Sequence, residues 1–397
     1  MSDPVRAALI AHYRSLLSRH LAQRPWVVAM DVLVVAARYA RELQGLGVES
    51  VVAIGASRGT GELPSSEVVP QIDLGSRADT GMMQAIHDAQ AALTDLPAEV
   101  RAAVDRLDPQ RAASVIGTIF CSHLPVADRP IFGARPLAWQ ALEDKMIIDA
   151  VWDAVGLRRA PCEVVPLSEG GAAAQRLDSG MGTVWVGDNR DGWHGGASRL
   201  HWVRTAEAAH SARTHLSEHC DRVRVMPFLD GIPCSIHGWV FPDSTVIALR
   251  PCEMLVFRTP GSGTLCYGGA ATSWKPPEPV GGAMRSAALR VGEHLRDTVG
   301  YRGSFTLDGV VTAEGFLPTE LNPRFGAAIG RMANSMPELP LYLLHLCTAE
   351  GLELDYRPHD LERLVIEEAE ANPVVTGARM LEGRFDLEPR QAAIVRS

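Results

Sequence analysis

Two acidic side chains face each other in a predicted β-hairpin near the C-terminus. Strand-like runs flank the loop 313–315, and a three-residue loop that ends in glycine is a favoured hairpin connection. If Thr312 pairs with Phe316, the antiparallel register puts Asp308 directly opposite Glu320. Directly opposed Cβ atoms lie only about 5 Å apart, so two carboxylates in these positions repel each other. The pattern therefore predicts a site that holds a positive charge.

An asparagine and an arginine extend this predicted site. The same register puts Thr306 opposite Asn322, and the alternation of side chains along a strand puts Glu320 and Asn322 on one face. Oxygen ligands suit a hard cation such as Mg²⁺, so we predict Asp308, Glu320 and Asn322 as metal ligands. Arg324 follows the end of the strand, where it can hold an anion beside the metal. The alternative is a solvated hairpin face with incidental acids.

The composition bounds what the rest of the chain can be. With 397 residues, the chain exceeds what one hydrophobic core usually serves, so two or three domains are expected. A formal net charge of −9 argues against a nucleic-acid partner. Apolar runs fall far short of the roughly 18 residues of a membrane span, so no membrane partner is expected. Seven cysteines without a CxxC pair, together with the lack of a recognisable secretion signal, favour reduced thiols in the cytoplasm.

The N-terminal third predicts an α/β unit. Strands and helices alternate there, which indicates a parallel sheet covered by helices. The predicted elements are a strand at 25–30, a helix at 32–46, a strand at 50–54, a helical stretch at 82–107 interrupted near Pro97, and a strand at 113–120.

The remaining two thirds predict a mixed α+β organisation. A helix at 139–155, with apolar residues at three- and four-residue spacings, comes before it. The following elements are strands at 183–187 and 199–203, a helix at 205–220, strands at 222–228, 234–241, 245–249 and 253–258, a helix at 283–299, and the hairpin strands at 303–311 and 316–321.

The motif Glu320-x-Asn322-x-Arg324, with Asp308 twelve residues upstream, resembles the metal-binding signature of the ATP-grasp superfamily. The resemblance implies an N-terminal Rossmann-like α/β domain at 1–135. It implies a linker helix and a small lid subdomain at 136–228, and a larger α+β core with a C-terminal extension at 229–397. ATP and Mg²⁺, with two ions expected, would lie between the lid and the core.

The resemblance also assigns nucleotide-binding residues. Only two of the 38 basic residues are lysines, Lys145 and Lys275, and Lys145 resembles the lysine that contacts ATP phosphate ahead of the lid. The glycine-rich stretch at 187–199 resembles the phosphate loop of the lid, and the stretch at 225–231 resembles the hinge that holds adenine through its backbone. The residues implied are Gly192, Gly195, Gly196 and Ser198 in the loop, and Met226 and Phe228 at the hinge.

Two positions leave alternatives open. The family commonly has a second lid lysine where this chain has Gly187, so Arg190 or Arg199 would supply that charge. Arg250 matches a phosphate-binding arginine of the core, but a structural pair with Glu253 explains it equally well.

The resemblance implies an ATP-dependent carboxylate–amine ligase. The γ-phosphate would pass to a carboxylate, and an amine would attack the resulting acyl phosphate to form a small peptide or amide, with ADP and phosphate released. Lys145, Arg250 and Arg324 would neutralise the charge that develops during transfer. The partners would be a small carboxylate and a small amine, and homodimers are common in the family. An ATP-grasp protein that is not a ligase, such as a small-molecule kinase or a nucleotide-binding protein, is the main alternative.

Two further motifs suggest other functions. The glycines at 55–61 resemble the nucleotide turn of short-chain dehydrogenases, but neither lysine has a tyrosine four residues upstream, so a plain turn is favoured. His215-Leu-Ser-Glu-His219 matches the HxxEH zinc signature, which keeps a zinc hydrolase as a remote alternative. A solvated helix face explains this match better.

Overall fold

A computed structural model describes residues 2–75, 82–118, 124–258 and 265–377. The described residues form three β-sheets, which we call the N-terminal, middle and C-terminal sheets. No described helix is both long enough and apolar enough to cross a bilayer. The five cysteines with described side chains are free thiols. Cys121 and residues 259–264 lie outside the described residues, and so does the side chain of Cys266.

The N-terminal sheet is parallel throughout, in the order β3-β2-β1-β4, as the alternation of strands and helices predicts. One face packs against α1, α2 and helices from the end of the chain, and the other packs against α3 and α4. The elements are α1 (Asp3–Leu21), β1 (Trp26–Val32), α2 (Leu33–Gln44), β2 (Val51–Ser57), β3 (Gln71–Asp73), α3 (Met82–Thr94), α4 (Ala98–Leu107) and β4 (Ser114–Gly117).

The middle sheet is antiparallel, in the order β5-β8-β6-β7, and follows two short helices. Its helices cover one face around the buried Trp185, while Val184 and Val186 point to the opposite face. The elements are α5 (Leu137–Gln140), α6 (Ile148–Ala154), β5 (Glu163–Pro166), α7 (Gly170–Leu177), β6 (Thr183–Gly187), β7 (Leu200–Val203), α8 (Ala206–Ser217) and β8 (Arg222–Pro227).

The C-terminal sheet has the order β14-β13-β9-β11-β12-β15, with β10 paired to β9. Helix α9 packs on the face that carries Ile236 and Leu307 and ends at Gly300, whose left-handed backbone (φ +61°) favours glycine. The elements are β9 (Ile232–Val240), β10 (Val246–Ala248), β11 (Cys252–Arg258), β12 (Leu265–Ala271), α9 (Glu278–Val299), β13 (Gly303–Thr312), β14 (Gly315–Asn322), α10 (Ala327–Asn334), α11 (Leu341–Glu350), α12 (Pro358–Ala371) and β15 (Val375–Gly377).

The helix predicted at 139–155 is broken, and that prediction is wrong over its middle. A turn at 141–143 follows α5, the backbone of Asp144 is extended (ψ 117°), and α6 begins only at Ile148. The Asp144 carboxylate accepts a hydrogen bond from the Met146 N–H at 2.9 Å, an alternative to the helical bond that aspartate often provides. The break places Lys145 in an irregular segment.

The predicted hairpin forms, but its turn differs from the prediction. Thr312 pairs with Gly315 rather than with Phe316, which leaves a two-residue turn. A β-bulge at Thr319 then shifts the register by one residue. Pro318 has no N–H for the ladder, and bulges accommodate such a residue. The bulge restores the predicted pairing of Asp308 with Glu320 and of Thr306 with Asn322.

Candidate active site

The opposed carboxylates lie on the face of the C-terminal sheet that α9 does not cover. Ser235 on β9 donates to Asp308 Oδ1 at 2.5 Å, and Asn322 Nδ2 donates to Asp308 Oδ2 at 2.8 Å. Burial raises the pKa of Asp308 to about 7, and the neighbouring charge of Glu320 adds to this shift. The charged form of Asp308 is therefore poorly stabilised in this arrangement.

Lys145 supplies a positive charge to this face. Its Nζ lies 3.1 Å from Glu320 Oε1, and the lysine side chain is only 10% exposed. The irregular segment between α5 and α6 brings Lys145 over β14, which a regular helix from 139 would not do. Lys275, by contrast, is 69% exposed and pairs with Glu370 at 3.5 Å.

Two arginines share one buried glutamate beside the carboxylate pair. Arg135 donates to Glu143, and Arg324 Nε lies 3.3 Å from the same Glu143 oxygen. Arg324 Nη2 also donates to Asn322 Oδ1 at 2.7 Å. Burial alone would raise the pKa of Glu143, but Arg324, Arg135 and Lys145 together hold that pKa below its usual range. Glu143 therefore fixes the orientation of Arg324.

Two of the three predicted metal ligands, Asp308 and Glu320, are placed to bind a hard divalent cation. Asp308 and Glu320 present facing oxygens, and a cation between them would relieve the repulsion that raises the pKa of Asp308. Asn322 offers its amide nitrogen to Asp308 and its oxygen to Arg324, so it becomes a ligand only if its side chain turns. The described residues hold no group of three or more His, Cys, Asp or Glu arranged around one metal.

These residues line a cavity of about 840 Å³ between the middle and C-terminal sheets. The residues of the predicted site that line it are Lys145, Gly195, Gly196, Met226, Phe228, Asp308, Glu320, Asn322 and Arg324. Its walls come from all three sheets, because residues at the end of β1 and on α2 and α3 close one side. Gly192 and Ser198 are not part of its lining.

The glycine-rich loop closes over this cavity. Trp193 donates its indole N–H to Glu143, and His194 Nε2 lies 2.9 Å from Gly187 O. The Gly195 N–H points at Met83 Sδ on α3 at 3.3 Å. The loop is therefore held both to the charged cluster and to the N-terminal sheet.

Comparison with solved structures identifies the architecture. The chain superimposes on a biotin carboxylase–β,γ-ATP complex from Campylobacter jejuni with a TM-score of 0.55 and 13% identity, over 86% of this chain and 74% of that one. The biotin carboxylase domain of Hydrogenobacter thermophilus 2-oxoglutarate carboxylase, solved with MgADP and bicarbonate, gives 0.54 and 15% over 84% and 71%. N5-carboxyaminoimidazole synthase from Aspergillus clavatus, solved with ADP and 5-aminoimidazole ribonucleotide, gives 0.52 and 10% over 84% and 78%. No protein-family model and no curated protein matches the sequence.

The chain has the ATP-grasp fold. In ATP-grasp terms, the middle sheet is the lid and the C-terminal sheet is the core. The predicted fold class is therefore confirmed.

The structure leaves little room for a side chain at Gly187, where the family commonly has a second lysine. A Cβ atom at Gly187 would lie 2.3 Å from Cys220 Sγ and 3.0 Å from Leu216 Cδ2, so a side chain there requires these groups to move. Of the two proposed substitutes, Arg199 lines the cavity and donates to Asp188 O at 2.9 Å. Arg190 points away and pairs with Asp221 at 2.9 Å.

Arg250 does not join the ATP-grasp site. Its guanidinium donates to Thr272 O at 2.7 Å, to Trp274 O at 3.3 Å and to Glu370 on α12, and it does not line the cavity. Arg250 therefore lies outside this cavity lining, and its catalytic role stays a prediction. The pairing partner is Glu370 rather than the sequence neighbour Glu253.

The hinge between the lid and the core lines the cavity, but one of its donors is occupied. The Phe228 N–H donates to Gly182 O at 2.9 Å, so it does not face a base in this arrangement. The Phe228 ring stacks near Trp202, with ring centroids 4.6 Å apart. Arg224 also lines this end of the cavity and makes a two-pronged ion pair with Asp149 at 2.7 and 2.8 Å.

The two other motifs have local partners. His201 Nε2 lies 2.9 Å from His215 Nδ1, and His219 pairs with Asp191 at 3.2 Å, so the two motif histidines point to different neighbours. At the dehydrogenase-like turn, Gly59 and Gly61 have positive φ angles of 72° and 131°. They follow β2 as a turn at the edge of the N-terminal sheet.

Sequence reasoning missed several residues of this site. Ser235, Arg135 and Asp31 line the site or pair with it, and each lies on an element distant in sequence from the hairpin. One signal was available for Asp31, because it comes directly after the buried run of β1, where the carboxyl ends of parallel strands meet.

Proposed function

We propose that this protein is an ATP- and Mg²⁺-dependent ligase that joins a carboxylate to an amine through an acyl phosphate. The single observation that carries the proposal is the pairing of Asp308 with Glu320 beside Lys145 and Arg324, at the floor of the cavity between lid and core. Two facing acids beside two cations suit a metal-bound triphosphate better than any apolar ligand.

The nucleotide is proposed by analogy of fold. The biotin carboxylase and synthase structures carry ATP- or ADP-type ligands. Here Asp308 and Glu320 would hold Mg²⁺, and Asn322 would complete the set after its amide turns. The bound ion would supply charge neutralisation between phosphate oxygens. We propose two ions, as the resemblance implies.

The basic residues act on the charge that develops during phosphoryl transfer. Lys145 would leave Glu320 for the phosphate oxygens, as a compact ammonium can do. Arg324, oriented by Glu143, would hold the carboxylate substrate or the acyl phosphate. Arg250 has a structural role, because backbone carbonyls and Glu370 occupy its donors.

The glycine-rich loop would exclude water from the acyl phosphate. Gly195 and Gly196 approach the cavity, and Trp193 ties the loop to Glu143. Because an acyl phosphate hydrolyses when water reaches it, this closure would commit the intermediate to the amine.

The remaining parts of the proposal concern organisation and surroundings. We propose domain boundaries at 1–135, 136–228 and 229–397, which enclose the three sheets in turn. A homodimer and a cytoplasmic location stay as predictions, the latter in keeping with the free thiols of the described cysteines. The product is a small amide or peptide.

The test is an assay with ATP, Mg²⁺ and pairwise combinations of small carboxylates and amines. We expect release of ADP and phosphate only when both substrates are present, with an amide of matching mass. Release of AMP and pyrophosphate would contradict the acyl-phosphate scheme. ADP formation without an amide, together with a phosphorylated small molecule, would instead support a kinase.

A further inference from the structure

A second carboxylate, which is half-buried, lies at the other side of the cavity. Asp31 occupies the end of β1, and its side chain lines the cavity wall. Thr118, just after β4, donates its hydroxyl to Asp31 Oδ2 at 3.3 Å. Asp31 Oδ1 is shielded from solvent, and the described residues give it no hydrogen-bond donor.

This arrangement is costly in the absence of a ligand. Burial raises the pKa of Asp31 to about 6, even though the Thr118 hydroxyl lowers it in part. At neutral pH the group is therefore a half-buried anion with one unmatched oxygen, and such an oxygen is normally paired in a folded protein. A positively charged ligand with N–H donors would neutralise the Asp31 carboxylate and add hydrogen bonds to it.

The wall around Asp31 is apolar. Val35 and Tyr39 on α2 and Met83 and Ile86 on α3 line the cavity beside it. The glycine-rich loop closes this wall, because the Gly195 N–H contacts Met83 Sδ. A ligand that reaches Asp31 would therefore have an apolar body.

Asp31 also lies close to the charged cluster of the core. Thr118 lines a second, small cavity of about 20 Å³, whose other walls include Arg135 and Arg324. This volume holds about one water molecule. Thr118 therefore contacts the Asp31 carboxylate and also lines the small cavity beside Arg324.

We propose that Asp31 binds the ammonium group of an amine substrate with an apolar body, packed against Val35, Tyr39, Met83 and Ile86. An ammonium group carries three donors and a positive charge, so it can pair from the cavity with the accessible part of the Asp31 carboxylate and neutralise its charge, while Oδ1 stays shielded. The fate of the amine rests on the proposed function: the ammonium group would first lose a proton to Asp31, and the neutral amine would then attack the carbonyl carbon of the acyl phosphate and displace phosphate. The binding itself does not depend on that reaction.

The test compares matched amines and alcohols by calorimetry on the full chain. The probes are 2-phenylethylamine and 3-methylbutylamine, each beside the alcohol of the same shape. We expect the wild-type protein to bind each amine at least about tenfold more tightly than its alcohol, as expected for a hydrogen-bonded charge. Asp31→Asn should abolish this preference. Glu62→Gln, which removes an exposed acid in the loop after β2, should keep it.

The outcomes separate this proposal from the ligase proposal. Equal affinity for amine and alcohol in the wild type, no amine binding at millimolar concentrations, or an unchanged preference in Asp31→Asn would each overturn it. MgADP affinity, measured on the same variant, shows whether the fold survives the substitution. If Asp31→Asn does not fold, the wild-type preference is compared at pH 4.5 and pH 7.5, and it should fall at the lower pH, where Asp31 is protonated and the amines keep their charge; an equal preference at both pH values would overturn the proposal. If the protein prefers amines over alcohols in a way that depends on Asp31 but does not turn over ATP, the ligase proposal is wrong and the amine-site proposal is supported.

Discussion

The hairpin face and the end of β1 both bury carboxylates beside one cavity, but they satisfy them differently. On the hairpin, Asp308 accepts two hydrogen bonds and Glu320 pairs with Lys145. At the end of β1, Asp31 has one long hydrogen bond and an unmatched oxygen. In the first region protein groups pair both carboxylates, and in the second the carboxylate has fewer protein partners to offset its charge. The difference teaches that the effect of a substitution on stability or activity depends on which charged or polar partners it leaves unpaired.

The largest effect should follow from Asp308→Asn, which keeps the shape of the hairpin face and removes its buried charge. Loss of this metal oxygen should reduce ATP turnover by about a hundredfold or more, because charge stabilisation in such sites is usually the dominant contribution. Turnover under saturating Mg²⁺ measures it. Glu314→Gln is the matched control, since Glu314 lies in the turn of the same hairpin and contacts only the exposed Arg158 there. Equal turnover in both variants would remove the hairpin from the mechanism.

The two lysines give the next contrast. Lys145→Met should lower kcat/KM for ATP by roughly a hundredfold, because it removes the compact charge beside Glu320. Lys275→Met should leave kcat/KM unchanged, since Lys275 is exposed on the surface. Initial rates at varied ATP measure both. A similar loss in the two variants would show a general electrostatic effect rather than a phosphate contact.

Arg250 provides a structural counterpart to these catalytic variants. Arg250→Ala should lower the free energy of unfolding by about 2 kcal/mol, because it leaves two buried carbonyls and part of Glu370 unpaired. Lys275→Ala, which pairs with the same Glu370 at the surface, should cost less than about 0.5 kcal/mol. Denaturant unfolding measures both, and turnover per folded molecule should not change. A loss of turnover without a loss of stability would return Arg250 to the active site.

Short-range pattern predicted much of this site, because strand alternation and hairpin pairing are local properties. The Asp308–Glu320 pairing followed from them even though the turn was misassigned, since the bulge at Thr319 compensates the shorter loop. The bulge itself was not predictable from spacing alone. Pro318 was the one local sign that the ladder would be interrupted there.

Long-range partners escaped the sequence for a physical reason. Arg250 and Arg324 both follow strands. Arg250 pairs with Glu370, which lies 120 residues away in sequence, and Arg324 pairs with Glu143, which lies 181 residues away. Periodicity also predicted one helix at 139–155, because its apolar residues do pack on the core on both sides of the break. The Asp144 side chain and the pairing of Lys145 with Glu320 outweigh that periodicity.

The last contrast concerns stability rather than turnover, and it has opposite signs in the two regions. Because the folded-state pKa of Asp31 is raised to about 6, the native protein binds a proton there more tightly than the unfolded chain does. Stability therefore falls as pH rises from about 4 to about 6, and the full penalty is present above that range. Asp31→Asn removes the penalty, so we expect the variant to be more stable than the wild type at pH 7 by about 1 to 3 kcal/mol, and equally stable near pH 4.

Glu320→Gln should do the reverse, because it leaves the buried Lys145 ammonium without its partner and lowers stability at pH 7. Denaturant unfolding of both variants at pH 4 and pH 7 measures the contrast. If Asp31→Asn destabilises the protein at pH 7, then Asp31 is already satisfied in the free protein. The end of β1 would then be a finished structural element, like the hairpin face, with no unmet acceptor for an amine.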